Sequence, residues 1–247
     1  MKMNVKWISH RGESIDAPEN SIPAFKLSRE RQTDGMECDV HLTADKVVVV
    51  AHDPTTARMG DRNLVIEKST FAELAKVNIS GANETYPDEH IHTLEDCLDC
   101  LGSSREFYIE LKPGTAELVP AVEKILTARG MTSDQVVIIS FDKEMIALSK
   151  KIMPQYRALW LTGLPAGMTA DTLLAELNAM HADGVDAAVN ENIITADFVQ
   201  KLHDKGMLVA VWTVDQPGQA RRMIELGVDS ITSNRAAKLR DMLKKAE

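Results

Sequence analysis

The chain has 247 residues, 44% of them hydrophobic and 26% charged, which is enough to bury one substantial core. Its formal net charge of -9 argues against nucleic acid or an anionic membrane surface as a partner, because those partners bind concentrated basic patches. No apolar run approaches the roughly 18 residues of a membrane span, so we expect one cytoplasmic domain over residues 1–247, without membrane insertion.

Short apolar segments alternate with amphipathic segments of helical length, which is the pattern of βα units around a parallel sheet. We predict eight such strands, at residues 5–9, 36–40, 107–111, 136–141, 157–161, 186–190, 208–214 and 229–233, and a final helix at 236–245. Eight units favour an α/β fold of the (β/α)8 TIM-barrel type. The rival, an open doubly wound sheet, lacks its usual G-x-G-x-x-G signature here.

Residues typical of helix ends separate these segments. Thr169 and Thr195 predict N-caps, since a threonine hydroxyl can accept a hydrogen bond from the first helical turn. Glycines that follow four helical segments predict left-handed C-caps. These glycines are Gly130, Gly184, Gly206 and Gly227.

One region interrupts the alternation of strands and helices. Residues 47–51 predict a further strand that returns from the second one through a turn at 43–46. A polar segment at 53–92 follows, with one short helix predicted from the capping box of Thr70 and Glu73. It is too long for an ordinary connection, so we interpret it as a small insertion over one end of the barrel.

The three cysteines do not predict a disulfide framework, because they cannot all pair within one chain. Cys97 and Cys100 form a C-x-x-C in the amphipathic stretch 94–101, without the second pair that a zinc site needs. We therefore expect two half-buried thiols on one helix.

Charged side chains cluster at the ends of two predicted strands. Side chains alternate faces along a strand, so Glu37 and Asp39 point the same way and Cys38 points opposite. The same rule places Glu110 beside Lys112. In a barrel of this kind the carboxyl ends of the strands carry the chemistry, so we expect these side chains to meet there.

Three carboxylates in one place repel one another unless a positive charge joins them. A divalent cation is the simplest such charge, and oxygen-only ligands favour Mg²⁺ or Ca²⁺ over zinc. The alternative is a salt-bridge cluster in which Arg11 and Lys112 neutralise the acids without a metal. Both interpretations remain open at this stage.

The charges of the complete site suit a phosphodiester. The formal charges sum to zero when three carboxylates, Arg11, Lys112, a divalent cation and one diester are counted together. Arginine offers a planar fork to phosphate oxygens and lysine a point charge. His10 and His52 could then serve as general acid and base, because the ordinary pKa of a histidine side chain lies near neutral pH.

The ordered motifs of the chain resemble those of one family, the glycerophosphodiester phosphodiesterases of the phosphatidylinositol phospholipase C-like barrel superfamily. The motifs are His10-Arg11-Gly12, Pro18-Glu19-Asn20-Ser21, Glu37-Cys38-Asp39-Val40, His52-Asp53, Glu110-Leu111-Lys112-Pro113, Val211-Trp212-Thr213-Val214 and Gly227-Val228-Asp229. The similarity spans nearly the whole chain.

That resemblance implies hydrolysis of a small-molecule glycerophosphodiester, such as glycerophosphocholine, to glycerol 3-phosphate and an alcohol. It also implies a role for each matching residue. In that family pattern Glu37, Asp39 and Glu110 hold a divalent metal, and His10 and His52 act as the acid/base pair. Arg11 and Lys112 contact the phosphate, and Glu19 is a supporting acid. Trp212 packs near the glycerol moiety. Trp212 could equally fill the barrel core.

The chain departs from the family pattern in two places. Thr232-Ser233-Asn234-Arg235-Ala236 stands where many members have Thr-Asp-x-Pro, and His92 stands where proline is usual. We expect neither departure to touch the catalytic residues, and hence both to affect substrate preference more than activity.

Overall fold

A computed structural model describes residues 5–102 and 105–245 of the chain. The strands are β1 (Lys6–Ser9), β2 (Gly35–Leu42), β3 (Val48–Val50), β4 (Glu106–Leu111), β5 (Val136–Ser140), β6 (Arg157–Thr162), β7 (Gly184–Ala188), β8 (Leu208–Trp212) and β9 (Ser230–Ser233). The helices are α1 (Ile22–Glu30), α2 (Phe71–Leu74), α3 (Leu94–Leu98), α4 (Leu118–Ala128), α5 (Lys143–Ile152), α6 (Ala170–Ala179), α7 (Ala196–His203), α8 (Pro217–Leu226) and α9 (Ala236–Lys244).

Eight parallel strands close into a barrel, and β3 is antiparallel to its neighbour β2. Both edges of β1 are paired, because Ile8 aligns with Gly35 of β2 and Lys6 aligns with Ser230 of β9. A closed barrel leaves no edge strand among its eight members. The predicted (β/α)8 fold is therefore confirmed.

Two apolar layers follow from the alternation of side chains along each strand. The barrel interior is filled by a small cluster that includes Ile8, Tyr108, Ile139 and Leu161. A larger cluster lies between the strands and the helices, and Cys38 belongs to it. The side chains of Glu37 and Asp39, on either side of Cys38 in sequence, therefore point into the barrel.

The predicted helix N-caps are confirmed, since Thr169 accepts from the Thr172 amide and Thr195 from the Phe198 amide. Gly227 ends α8 in the left-handed region, with a φ of 83°, as predicted.

The prediction for Gly184 was wrong. Gly184 does not cap a helix but opens β7, which begins two residues before the predicted strand at 186–190. It pairs with Leu159 on β6 and with Leu208 on β8. A Cβ atom on Gly184 would lie 2.2 Å from the Leu208 carbonyl oxygen, so the glycine is needed for the close approach of β8.

The segment between β3 and α3 forms a small structure of its own. Isolated antiparallel bridges join Thr55 to Val65 and Asn78 to His90. Its apolar side chains form a separate cluster beside β3, made of Val49, Ile66, Leu74, Val77, Ile79 and Ile91. The short helix α2 begins at the predicted capping box of Thr70 and Glu73.

The cysteines are buried free thiols. Burial raises the pKa of Cys97 and of Cys100, which favours the protonated thiol over the reactive thiolate. Within residues 5–102 and 105–245, no helix combines the length and apolar character needed to cross a bilayer.

Candidate active site

Three carboxylates meet at the carboxyl ends of β2 and β4. Asp39 and Glu110 are aligned residues of the paired strands, and Glu37 is two residues before Asp39 on the same face. One oxygen from each side chain lies within 4.8 Å of the others, and all three residues are buried. The predicted convergence of these acids is present in the structure.

Two cations contact this carboxylate cluster. Lys112 Nζ lies 2.8 Å from Asp39 Oδ1 and 2.7 Å from Glu110 Oε1. Arg11 Nε lies 3.2 Å from Asp39 Oδ2. Arg11 occupies a left-handed turn after β1, with a φ of 55°, and this turn directs its backbone N–H to Glu37 Oε2 at 2.9 Å.

The cations neutralise the three acids unequally. Burial raises the pKa of Asp39, but the charges of Lys112 and Arg11 outweigh it and hold that pKa well below its usual range. Burial and the charge of Asp39 raise the pKa of Glu110 to about 7. Burial and the charges of Asp39 and Glu110 raise the pKa of Glu37 well above its usual value. Glu37 and Glu110 therefore stay short of full neutralisation, although Lys112 contacts Glu110.

A divalent cation fits this deficit. Among the described residues, no lysine or arginine side-chain nitrogen lies within 4.0 Å of the Glu37 carboxylate, which is approached by the Arg11 backbone N–H at 2.9 Å and by the His10 ring at 3.9 Å. The salt-bridge interpretation thus leaves the buried Glu37 carboxylate without a lysine or arginine side chain beside it, which is costly. The donor set contains only oxygen atoms, which suits Mg²⁺ or Ca²⁺.

His10 follows β1 and faces the carboxylate cluster. Its Nδ1 lies 2.7 Å from the side-chain oxygen of Asn234, and its Nε2 lies 3.9 Å from Glu37 Oε2. Burial and the positive charge of Arg11 lower the pKa of His10. A neutral imidazole can accept a proton.

His52 follows β3 and belongs to a chain of charged side chains. Its Nδ1 lies 2.7 Å from Asp53 Oδ1, and Asp53 Oδ2 accepts a 2.6 Å hydrogen bond from Arg58 Nε. The other two nitrogens of Arg58 donate to Glu19 at 3.0 and 2.7 Å. Glu19 also accepts from Arg11 Nη1 at 2.9 Å. This network links the polar segment 53–92 to the loop after β1.

Trp212 lies at the carboxyl end of β8, partly buried at the top of the barrel interior. It packs on the cluster inside the barrel and donates from Nε1 to the Asp186 carbonyl at 3.1 Å. Its ring also contacts Phe141 edge to face, with centroids 5.5 Å apart. Phe141 is 44% exposed, so the pair forms an apolar wall at the barrel mouth.

Two residues of the site received no role from sequence reasoning. Asn20 is buried and donates from Nδ2 to Asp39 Oδ2 at 2.7 Å. It stands in a motif quoted for the family resemblance, and its left-handed φ of 57° is one that asparagine tolerates. Arg58 lies in an irregular polar segment, where no periodicity signals a contact with Glu19.

The expectation that the departures from the family pattern leave the catalytic residues untouched was wrong for Asn234. Its side-chain oxygen contacts the His10 ring directly. The closed barrel causes this, because β9 pairs with β1 and brings the segments after both strands together. His92 contacts Glu89 instead, at 2.8 Å.

The sequence matches the model of the glycerophosphoryl diester phosphodiesterase family over residues 10–238. The chain belongs to this family. A glycerophosphodiester phosphodiesterase of Caldanaerobacter subterraneus is 32% identical over 98% of this chain and 99% of its own length. The family assigns the chain to enzymes that hydrolyse glycerophosphodiesters.

Solved structures share the architecture of this family member. An Oleispira antarctica phosphodiesterase in complex with the product sn-glycerol-3-phosphate has a TM-score of 0.86 at 22% identity, covering 96% of each chain. A putative glycerophosphoryl diester phosphodiesterase from Silicibacter pomeroyi has a TM-score of 0.85 at 25% identity, covering 98% of this chain and 94% of that one. These likenesses agree with the closed barrel described above.

Replacing Arg58 by Met in this phosphodiesterase family member should lower kcat by roughly 10-fold, the range for residues that orient a functional histidine. The variant loses the guanidinium that holds Asp53 against His52. Thermal unfolding should change little, because the Arg58 side chain is 45% exposed and exposed ion pairs contribute little stability. Steady-state kinetics with a glycerophosphodiester provide the measurement.

Arg62→Met is the matched control for Arg58→Met. Arg62 lies in the same segment, is 57% exposed, and approaches Asp61 only at 3.9 Å. Equal activity of the two variants would show that the Arg58 network does not serve the reaction.

Proposed function

We propose that this protein hydrolyses glycerophosphodiesters to glycerol 3-phosphate and an alcohol, with two histidines as general acid and base. The observation that carries the proposal is the meeting of a buried carboxylate cluster, two cations and His10 at the carboxyl end of the barrel, in a chain of this family. The Oleispira antarctica structure contains the same product, which supports this choice.

Glu37, Asp39 and Glu110 would hold the divalent cation, Mg²⁺ or Ca²⁺, through their oxygen atoms. When bound, that cation supplies Lewis-acid activation of the phosphoryl group. The three carboxylates, which meet at the barrel mouth, would hold the ion there.

Arg11 and Lys112 bind the phosphate. Both side chains are already held by carboxylates, so they are oriented before a substrate arrives. Their charges stabilise the negative charge that grows on the phosphoryl oxygens in the transition state. Glu19 supports this arrangement, since it orients the Arg11 guanidinium through a 2.9 Å hydrogen bond.

The two histidines have unlike partners, and this divides their roles. His10 faces the neutral amide oxygen of Asn234 through Nδ1, which leaves Nε2 free to accept the proton of the attacking hydroxyl or water. His52 instead faces the Asp53 carboxylate through Nδ1 at 2.7 Å, an acceptor that orients its ring and leaves Nε2 for the leaving alcohol. We assign the base to His10 and the acid that protonates the leaving alcohol to His52.

Two parts of the protein frame the substrate, one apolar and one polar. Trp212 packs beside the glycerol moiety at the barrel mouth, where Phe141 covers its edge. The segment 53–92 forms a small insertion that frames the alcohol side, because Asp53 and Arg58 connect it to His52 and Glu19. Differences in this segment should therefore alter the preference among alcohols.

A coupled assay for released glycerol 3-phosphate tests the proposed function. It should be run on glycerophosphocholine, glycerophosphoethanolamine and glycerophosphoglycerol, with and without Mg²⁺ or Ca²⁺. We expect metal-dependent release from at least one of them. Phosphorus NMR of the same mixtures separates two rival functions. Accumulation of cyclic glycerophosphate would indicate a lyase-like reaction. A substrate that binds to saturation but is not converted would indicate a binding protein.

A further inference from the structure

Asn234 lies between His10 and Asp215, in the segment that joins β9 to α9. Its Oδ1 lies 2.7 Å from His10 Nδ1, and its Nδ2 donates to Asp215 Oδ2 at 2.6 Å. Asp215 comes from the loop after β8. The segments after β8, β9 and β1, three neighbouring strands of the closed barrel, therefore supply one hydrogen-bonded row. This row ends on the His10 imidazole, which faces the carboxylate cluster.

The orientation of the Asn234 amide follows from Asp215. A carboxylate offers only acceptors, so the amide NH₂ must face it and the amide oxygen must face the histidine. Asp215 is itself held in place, because its Oδ1 accepts from Ser233 Oγ at 2.8 Å and from the Asn234 backbone N–H at 2.9 Å. Ser14 Oγ donates to the same Asn234 oxygen at 3.2 Å.

The amide oxygen determines the tautomer of His10. Since Asn234 Oδ1 is an acceptor, His10 Nδ1 must carry the hydrogen, and in the neutral ring the lone pair is then on Nε2. Nε2 is the nitrogen on the side of the carboxylate cluster, 3.9 Å from Glu37 Oε2. The ring is thereby presented with its basic nitrogen toward the reaction centre.

We propose that Asn234, oriented by Asp215, is a positioning residue that holds His10 in the Nδ1–H tautomer with Nε2 directed at the substrate. This inference rests on the proposed function, in which His10 is the base. It parallels the orienting carboxylate of serine-protease triads, with a neutral amide in the carboxylate's place.

A neutral acceptor has a physical reason at this position. Glu37, Asp39 and Glu19 already place negative charge near His10, opposed by the positive charge of Arg11. An amide fixes the tautomer without adding a further anion next to the ring, and Asp215 carries its charge one residue farther away. His52, which faces the Asp53 carboxylate directly, has the opposite arrangement.

The test uses Asn234→Leu, which keeps the size of the side chain and removes the acceptor. We expect kcat for glycerophosphodiester hydrolysis to fall roughly 10- to 100-fold with KM nearly unchanged, the range for orienting partners of functional histidines. Long-range ¹H–¹⁵N spectra of ¹⁵N-histidine-labelled protein, assigned with His10→Gln, should show that the His10 ring leaves the Nδ1–H form. Asn178→Leu, at an exposed position on α6, is the matched control and should change neither quantity.

The double variant Asp215→Asn/Asn234→Asp exchanges the amide and the carboxylate. Every hydrogen bond of the row can re-form, because the new residue 215 donates to the new residue 234, which still offers an oxygen to His10 Nδ1. We expect the Nδ1–H spectrum to return and kcat to exceed that of Asn234→Leu by roughly 10-fold. A residue that merely fills space would show no such rescue.

The outcomes separate this inference from the proposed function. A wild-type kcat and an Nδ1–H spectrum in Asn234→Leu overturn the inference, as does an exchanged pair in which His10 carries its hydrogen on Nε2. If Asn234→Leu fails to fold, the exchanged pair alone decides. If the wild-type protein hydrolyses no glycerophosphodiester, the proposed function fails, and the spectra still support or overturn the tautomer assignment.

Discussion

Turnover of a glycerophosphodiester should fall by roughly 10²- to 10⁴-fold in His10→Ala and in His52→Ala, the range for loss of a general base or a general acid. The attacking group then has no acceptor for its proton, and the leaving alcohol has no donor. Both side chains lie at the barrel mouth and are only partly buried, so the fold should persist. The measurement is kcat from the glycerol 3-phosphate assay, with circular dichroism to verify folding.

His203→Ala is the control for these two variants. His203 lies on α7 and pairs with Asp229 at 2.9 Å, at the amino end of β9 and away from the carboxylate cluster. Its variant should keep the wild-type rate. Near-normal rates in both His10→Ala and His52→Ala would remove the two histidines from catalysis.

Glu110→Gln should abolish most of the activity and weaken divalent metal binding at the same time. The substitution preserves the shape of the side chain but removes one of the three charges that attract the ion. Addition of Mg²⁺ or Ca²⁺ to EDTA-treated protein should raise the unfolding temperature of the wild type and much less that of the variant, because ligands that bind only the folded state stabilise it. Glu30→Gln, at an exposed position on α1, is the control.

The same carboxylate predicts a pH dependence of metal binding. The pKa of Glu110 is raised to about 7 by burial and by the charge of Asp39, so a proton occupies the carboxylate below that pH and leaves it above. Protons therefore compete with the metal at low pH. The half-saturating Mg²⁺ concentration should be higher at pH 6 than at pH 8. Full activity after exhaustive EDTA dialysis would instead show that the reaction needs no divalent metal.

The barrel and the carboxylate cluster could be predicted because they depend on local periodicity. Alternation along β2 places Glu37 and Asp39 on one face whatever lies around them, and the ordered βα units leave few ways to close the sheet. Strand β7 was misplaced because its first residue, Gly184, has no side chain to show the alternation. Its place depends on the backbone of Leu208.

The amino-acid sequence by itself determined which chemical groups reach the carboxyl end of the barrel, since a strand's period assigns each side chain to a face. The tertiary structure alone decided the long-range hydrogen-bond partners of His10 and Glu19. The His10 contact with Asn234 spans 224 positions, and the Arg58 contact with Glu19 spans 39. Such hydrogen bonds depend on the paths of loops that pack only after the barrel closes, and no local pattern of residues specifies them.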